Sequence, residues 1–145
     1  MLNIRELRIG DIVTYETKYK GYKCSIIEGI DSISLTIRHR EIYEDGGWQM
    51  AISSCIRMSP FLLSNELLEA NGWRKALFNE EAFVQKFESV IIGLRPSVFG
   101  KGFVPILFQD DSCEMHEAIF MYEIGFVHEL QTLLDMWKTN YRIKI

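Results

Sequence analysis

Ile33-Ser34-Leu35-Thr36-Ile37-Arg38 alternates apolar and polar side chains residue by residue. An extended backbone sends successive side chains to opposite faces, so this run predicts a half-buried strand with Ile33, Leu35 and Ile37 turned inward. Upstream, Cys24 to Ile30 reads as a second strand ended by Gly29, and Ile12 to Tyr15 as an earlier one. The segment Leu7-Arg8-Ile9-Gly10-Asp11-Ile12-Val13 is a tight turn feeding it, because Gly10 tolerates an unusual φ and Asp11 can bond its own backbone. Lys18-Tyr19-Lys20-Gly21-Tyr22-Lys23 reads as a loop around Gly21. Downstream, Asp45-Gly46-Gly47 signals a turn, and a further strand follows through Trp48 to Met58. Short strands at this spacing, closed off by Pro60, predict a small SH3-like β-barrel for residues 1–60.

Residues 61–145 predict an α+β half packed against the first as one compact unit: an antiparallel β-meander with two short helices. Ser64 is an N-cap, Leu63 and Leu68 can form a hydrophobic staple, and Gly72 sits where a left-handed C′ residue belongs. These bracket a helix from Asn65 to Asn71, with Trp73 folding back onto Leu68 and the helix bridging the two halves. Ala82 to Phe87 fits a helical turn or a strand. Val90-Ile91-Ile92 and Phe103 to Phe108 favour strands, with Pro96 and Pro105 confining theirs to edges or bulges. Ser97 to Gly102 is a hairpin loop, Asp110-Asp111-Ser112 a turn, and Glu117 to Tyr122 the last strand of the meander.

Val127 to Lys138 carries the sharpest helical period. Val127, Leu130, Leu133, Leu134 and Trp137 make one apolar stripe, opposite His128, Glu129, Gln131, Thr132, Asp135 and Lys138. Tyr141 to Ile145 alternates again and predicts a terminal strand.

The chain has 145 residues, 48% hydrophobic and 12% aromatic, enough for a sizeable core without covalent staples. Its net charge of −4 argues against bulk binding to nucleic acid. The charge is uneven: residues 1–40 carry seven Lys/Arg against five Asp/Glu, and the remainder nine against fifteen. Only the first part could attract an anion. Three widely spaced cysteines make no disulfide framework and suit a reducing compartment. Met1-Leu2-Asn3-Ile4-Arg5-Glu6 lacks a signal peptide's apolar run, and no stretch approaches the ~20 apolar residues that span a bilayer. The expectation is a cytoplasmic protein with no membrane association.

Three ordered anchors carry a resemblance. They are Leu7-Arg8-Ile9-Gly10-Asp11-Ile12-Val13, the run Pro60-x-x-Leu63-Ser64-x-Glu66-x-Leu68-x-x-x-Gly72-Trp73, and Val127-His128-x-Leu130-Gln131-x-Leu133. Together they resemble a family of small uncharacterised proteins from anaerobic gut bacteria and their phages or mobile elements. The chain departs from that pattern at Glu129, where Gln is usual, and along Asp135–Asn140, where a small-residue end is typical. The resemblance implies a bacterial or prophage setting and no established catalytic residues. It singles out His128.

Among candidate sites, Lys18, Lys20 and Lys23 interleave with Tyr19 and Tyr22, a pattern in which lysines meet phosphates and tyrosines stack on bases. The competing reading is an exposed hairpin kept soluble by lysine. His128 reads as a ligand-binding or proton-transfer group, or as a side chain that bonds a neighbouring loop and fixes helix docking; the absence of a spaced partner favours the second. Cys113-x-x-His116 resembles half of a metal site but lacks a second pair, so no metal is expected. Cys55 beside Ile52 and Ile56 reads as a small buried hydrophobe. No nucleophile elbow or phosphate loop is present, so no catalytic residue and no cofactor is expected. These readings converge on a non-enzymatic binding or accessory protein, with a protein partner or self-association as its mode. The alternatives are nucleic-acid association through the Lys18–Lys23 loop and an unrecognised small enzyme.

Overall fold

The computed structural model describes residue 5 and residues 7–76, 79–88, 90–98, 100, 102–108 and 123–145. The chain divides into two units, Met1–Phe61 and Leu62–Ile145. Antiparallel sheets dominate both and the two helices are short, so the class is α+β.

Unit 1 comprises β1 (Ile12–Tyr15), β2 (Tyr22–Asp31), β3 (Thr36–Tyr43), β4 (Trp48–Ser54), a 3₁₀ turn (Cys55–Arg57) and β5 (Met58–Pro60). The strands form one sheet in the order β4-β3-β2-β1-β5. Its two end strands do not pair with each other, so no closed barrel is found among the described residues.

The opening hexapeptide is only half a strand. β3 begins at Thr36, and the residues before it form a turn in which Leu35 takes φ +53° and Ile33 is 95% exposed. The cause is local. The Asp31 carboxylate accepts from the N–H groups of Ile33 (2.9 Å) and Ser34 (3.2 Å) and from the Ser34 hydroxyl (2.7 Å). That side chain offers the backbone an alternative to the ladder. Two other expectations shift. β2 starts at Tyr22, which removes Tyr22 and Lys23 from the expected loop, and Gly29 lies within the strand, at a register irregularity. The predicted strand from Trp48 to Met58 breaks at Cys55, where the 3₁₀ turn carries the thiol into the core.

That core consists of Leu7, Val13, Ile27, Ile37, Cys55 and Met58, with Tyr15 and Ile30 packed on it. Burying each of the larger aliphatic side chains contributes about 1.5–3 kcal/mol.

Unit 2 contains α1 (Asn65–Ala70), β6 (Arg74–Ala76), β7 (Asn79–Lys86), β8 (Ile91–Pro96), β9 (Phe103–Phe108) and α2 (Val127–Met136). Its sheet runs β6-β7-β8-β9, so the ambiguous stretch Ala82 to Phe87 is largely strand. Pro105 lies on the end strand β9, as its missing N–H requires, and Pro96 is the last residue of β8. α1 is capped as its sequence predicts. The Ser64 hydroxyl accepts from the Leu67 N–H (3.2 Å), and Gly72 has φ +83°. The Gly72 and Trp73 amides donate to Glu69 (3.0 Å) and Leu68 (3.1 Å), which completes a Schellman motif.

The apolar stripe of α2 is buried at Val127, Leu130, Leu133 and Leu134, but two residues of its expected polar face, His128 and Gln131, are buried too. The terminal strand is not formed. Two side-chain amides hold the tail instead. Gln131 donates to the Tyr141 carbonyl (2.9 Å) and accepts from the Ile143 N–H (3.0 Å). Asn71 donates to the Lys144 carbonyl (2.7 Å) and accepts from its N–H (2.7 Å). The expected Asp110–Ser112 turn, the Glu117 to Tyr122 strand and the Cys113-x-x-His116 pair lie outside the described residues.

Candidate functional site

The inner face of the unit 1 sheet divides in two. One part is the apolar core. The other carries His39 and Glu41 of β3, Ser25 of β2, Tyr15 of β1, and Gln49 and Ser53 of β4. Strand pairing brings them together: Ser25 lies opposite Glu41, which lies opposite Gln49, while His39 lies opposite Ala51.

Glu41 is 1% exposed, a costly place for a carboxylate without partners. Three donors satisfy it. Tyr15 and Gln49 make short bonds to it, and the Tyr43 hydroxyl donates at 2.6 Å. Burial alone would raise its pKa, but these bonds and the neighbouring His39 outweigh burial and hold it below the usual range. The tyrosines shift the other way. Burial, then the Glu41 carboxylate, pushes Tyr15 up to about 12; for Tyr43 the bond to Glu41 leads, also to about 12.

His39 is fully buried, with Nδ1 3.0 Å from Ser25 Oγ and Nε2 3.0 Å from Ser53 Oγ. Burial lowers its pKa, and the Glu41 charge offsets only part of that. It is therefore neutral at pH 7, one ring nitrogen donating and the other accepting. The Tyr22 and Ser25 hydroxyls share a further bond of 3.0 Å. A Ser53–His39 pair is the minimum of a nucleophilic site, yet both ring nitrogens of His39 bond serine hydroxyls and, among the described residues, no carboxylate bonds to it. The arrangement is a self-satisfied polar wall.

Beside that wall lies a cleft of about 780 Å³, lined by residues 49–53 on one side, residues 15–19 on the other, and by Glu41 and Arg57. Side chains of a strand alternate between faces, so a cleft touching five consecutive residues of β4 runs along the strand's edge. The bonds Tyr43 N–H to Gly47 (3.0 Å) and Cys55 N–H to Leu35 (2.9 Å) fix the alternation of the β3–β4 ladder. Gln49, Ala51 and Ser53 turn their peptide groups toward β3, whereas Trp48, Met50 and Ile52 turn theirs to the open edge. Those three residues also expose their side chains, at 63%, 47% and 71%.

The other sheet ends are protected. β5 is three residues long and finishes at Pro60, and β6 is three residues long and carries Arg74 and Lys75. β9 contains Pro105, and its Phe103 exchanges two bonds of 2.7 Å with Ile124. β4, Trp48-Gln49-Met50-Ala51-Ile52-Ser53-Ser54, has no proline and no charge. Among the described residues it is the one long, unblunted edge.

The residues singled out by sequence fare differently. Lys18 and Tyr19 line the cleft, Tyr19 with 64% exposure, whereas Lys20 and Lys23 are exposed away from its lining. Tyr22 is half-buried in β2 and bonded to Ser25, so it is not a free stacking platform. His128 belongs to unit 2. It is buried, stacks on Phe126 with centroids 5.8 Å apart, and its Nδ1 has no hydrogen-bond partner among the described residues. Cys55 is the buried hydrophobe expected of it. Sequence reasoning missed Glu41, Ser25 and Ser53, and weighed His39 only with Arg38 and Arg40 as a basic neighbour of the Lys18–Lys23 loop. The available signal was polar residues at alternate positions of one strand, His39, Glu41 and Tyr43.

The chain matches no family model, no curated protein and no solved structure. No helix among the described residues is long and apolar enough to cross a membrane. No group of three or more His, Cys, Asp or Glu among them is arranged to hold a metal ion.

Proposed function

We propose that unit 1 is a non-enzymatic protein-recognition module that receives an extended segment of a partner polypeptide along the open edge of β4. The observation that carries this reading is the contrast between sheet ends. Three are shortened, charged, proline-bearing or bridged; β4 alone is long, uncharged and apolar on its outer face, and a cleft runs beside it. Strand addition uses such an edge: main-chain bonds supply affinity, and alternate side chains supply selectivity. The strand order and the 3₁₀ turn between β4 and β5 support an open, SH3-like form of barrel for this unit. A cytoplasmic, bacterial or phage-associated setting completes the proposal. Nucleic-acid association has thinner support, because only Tyr19 of its two expected stacking residues remains highly exposed.

Selection from a displayed library of linear peptides tests the module. The expected ligands are rich in β-branched residues at alternate positions and slow hydrogen exchange at the Met50 and Ile52 amides. Selected peptides that leave those two amides unprotected, or a library that yields no ligand, would overturn it.

A further inference from the structure

The charges that line the β4 cleft cancel: Lys18 and Arg57 stand there with Glu16 and the Glu41 carboxylate. The cleft as a whole therefore favours neither an acidic nor a basic ligand. The polarity lies along the strand instead. Glu44 and Asp45, both exposed, occupy the turn before Trp48, and the exposed Arg57 occupies the 3₁₀ turn after Ser54. Between them β4 carries no charge. A strand with acids at its start and a cation at its finish is complementary to itself run in the opposite direction.

The backbone and the apolar side chains match themselves in the same way. The peptide groups of Trp48, Met50, Ile52 and Ser54 face the open edge. Two antiparallel copies that overlap over the whole of Trp48–Ser54 put Ala51 on a two-fold axis. Trp48 then lies opposite Ser54 of the second copy, and Met50 opposite Ile52, each pair able to exchange two main-chain bonds. The exposed side chains of Trp48, Met50 and Ile52 from both copies share one face, where cross-strand apolar pairs stabilise a sheet. In that register Asp45 falls level with Arg57 of the second copy, at both ends. We infer that the partner segment is β4 of a second copy of this chain, so that the protein pairs with itself edge to edge as a two-fold dimer. The inference rests on the strand-docking reading and names its partner. One strand pair buries less than the ~1,200–2,000 Å² of a standard interface, so the dissociation constant should be on the order of tens of micromolar.

Sedimentation of the full chain from about 1 to about 300 μM should show a monomer giving way to a dimer by mass action. Ile52→Lys should weaken the dimer about tenfold. Arg57→Glu should weaken it about threefold, since exposed ion pairs contribute little each. Combining Arg57→Glu with Glu44→Lys and Asp45→Asn, which keeps an acceptor for the Gly47 N–H, should restore it. A covalent trap reads the register. In a chain carrying Cys113→Ser, Ala51→Cys should cross-link two copies on mild oxidation, because residues opposite each other in a non-hydrogen-bonded pair lie about 4.5 Å apart between Cα atoms, within disulfide reach. Gln49→Cys, which would face Ser53 of the second copy, should not. A chain that stays monomeric throughout, yet binds selected strand peptides at the Met50 and Ile52 amides, would overturn the second-copy inference and leave strand docking standing with a different partner. A monomer that binds no such peptide would overturn both. A dimer that ignores Ile52→Lys or the charge reversal, or that fails to cross-link through Ala51→Cys, is built on another surface and would overturn the inference.

Discussion

A single side chain, His39, links burial to acid sensitivity. Its folded pKa lies below the ordinary 6.5 because burial penalises the charged ring. On acidification the unfolded chain takes up its proton first, so stability is complete above about pH 6.5 and falls as pH drops below it. Glu41 adds a second loss at lower pH. Its folded pKa is held below the ordinary 4.5, so stability falls once pH drops beneath that value. The urea midpoint of unit 1 should therefore begin to decline as pH drops below about 6.5, and decline again below about 4.5. His39→Gln should flatten the first limb and leave the second. In the unaltered chain, the His39 ring resonances should titrate below 6.5. A ring pKa at or above that value would sink the account. None of this was legible along the chain. His39 stands 14 residues from each of its two serine partners, and only strand pairing closes those gaps.

At the scale of elements, the β-rich character of the first half was legible, because β-branched runs and the Asp45-Gly46-Gly47 turn are local signals. So was α1, whose Ser64 and Gly72 act within a few residues of themselves. The misread hexapeptide shows where such signals stop. Alternation counts side chains and is blind to φ, so a turn with apolar residues on its rim passes for a strand. Leu35 sits in the left-handed region at φ +53°, which costs a residue with a Cβ about 1–2 kcal/mol. Leu35→Gly should recover part of that, raising stability by about 0.5–1 kcal/mol despite the loss of an apolar side chain that is 45% exposed. Equilibrium denaturation decides it; destabilisation by the glycine would show that Leu35 packing outweighs its strain. The tail was misread for the opposite reason. Tyr141 to Ile145 has a strand's alternation, but its bonding partners are the side chains of Gln131, on the preceding helix, and of Asn71, 73 residues from Lys144.

For the whole molecule, the chain divides after Phe61, and the sequence drew attention to Lys18 and Tyr19 of the cleft lining but not to the polar wall or the open edge. An edge is a property of strand order, which no local pattern reports. Natural sheets often blunt exposed edges with a lysine. Ile52→Lys places one on a side chain already 71% exposed, so the fold should survive with stability changed by less than about 0.5 kcal/mol. Strand ligands, and any concentration-dependent scattering on storage, should both diminish; light scattering and peptide anisotropy read the two effects. Unchanged binding would move the recognition surface elsewhere. The amide clamps on the last residues have a mechanical consequence. A sheet-bound terminus resists tension along its whole ladder at once, whereas this one is fastened at separate points, Lys144 to Asn71 and then Ile143 and Tyr141 to Gln131. Pulled from its end it should peel stepwise at low force, freeing a short tether while the sheet and both helices stay intact.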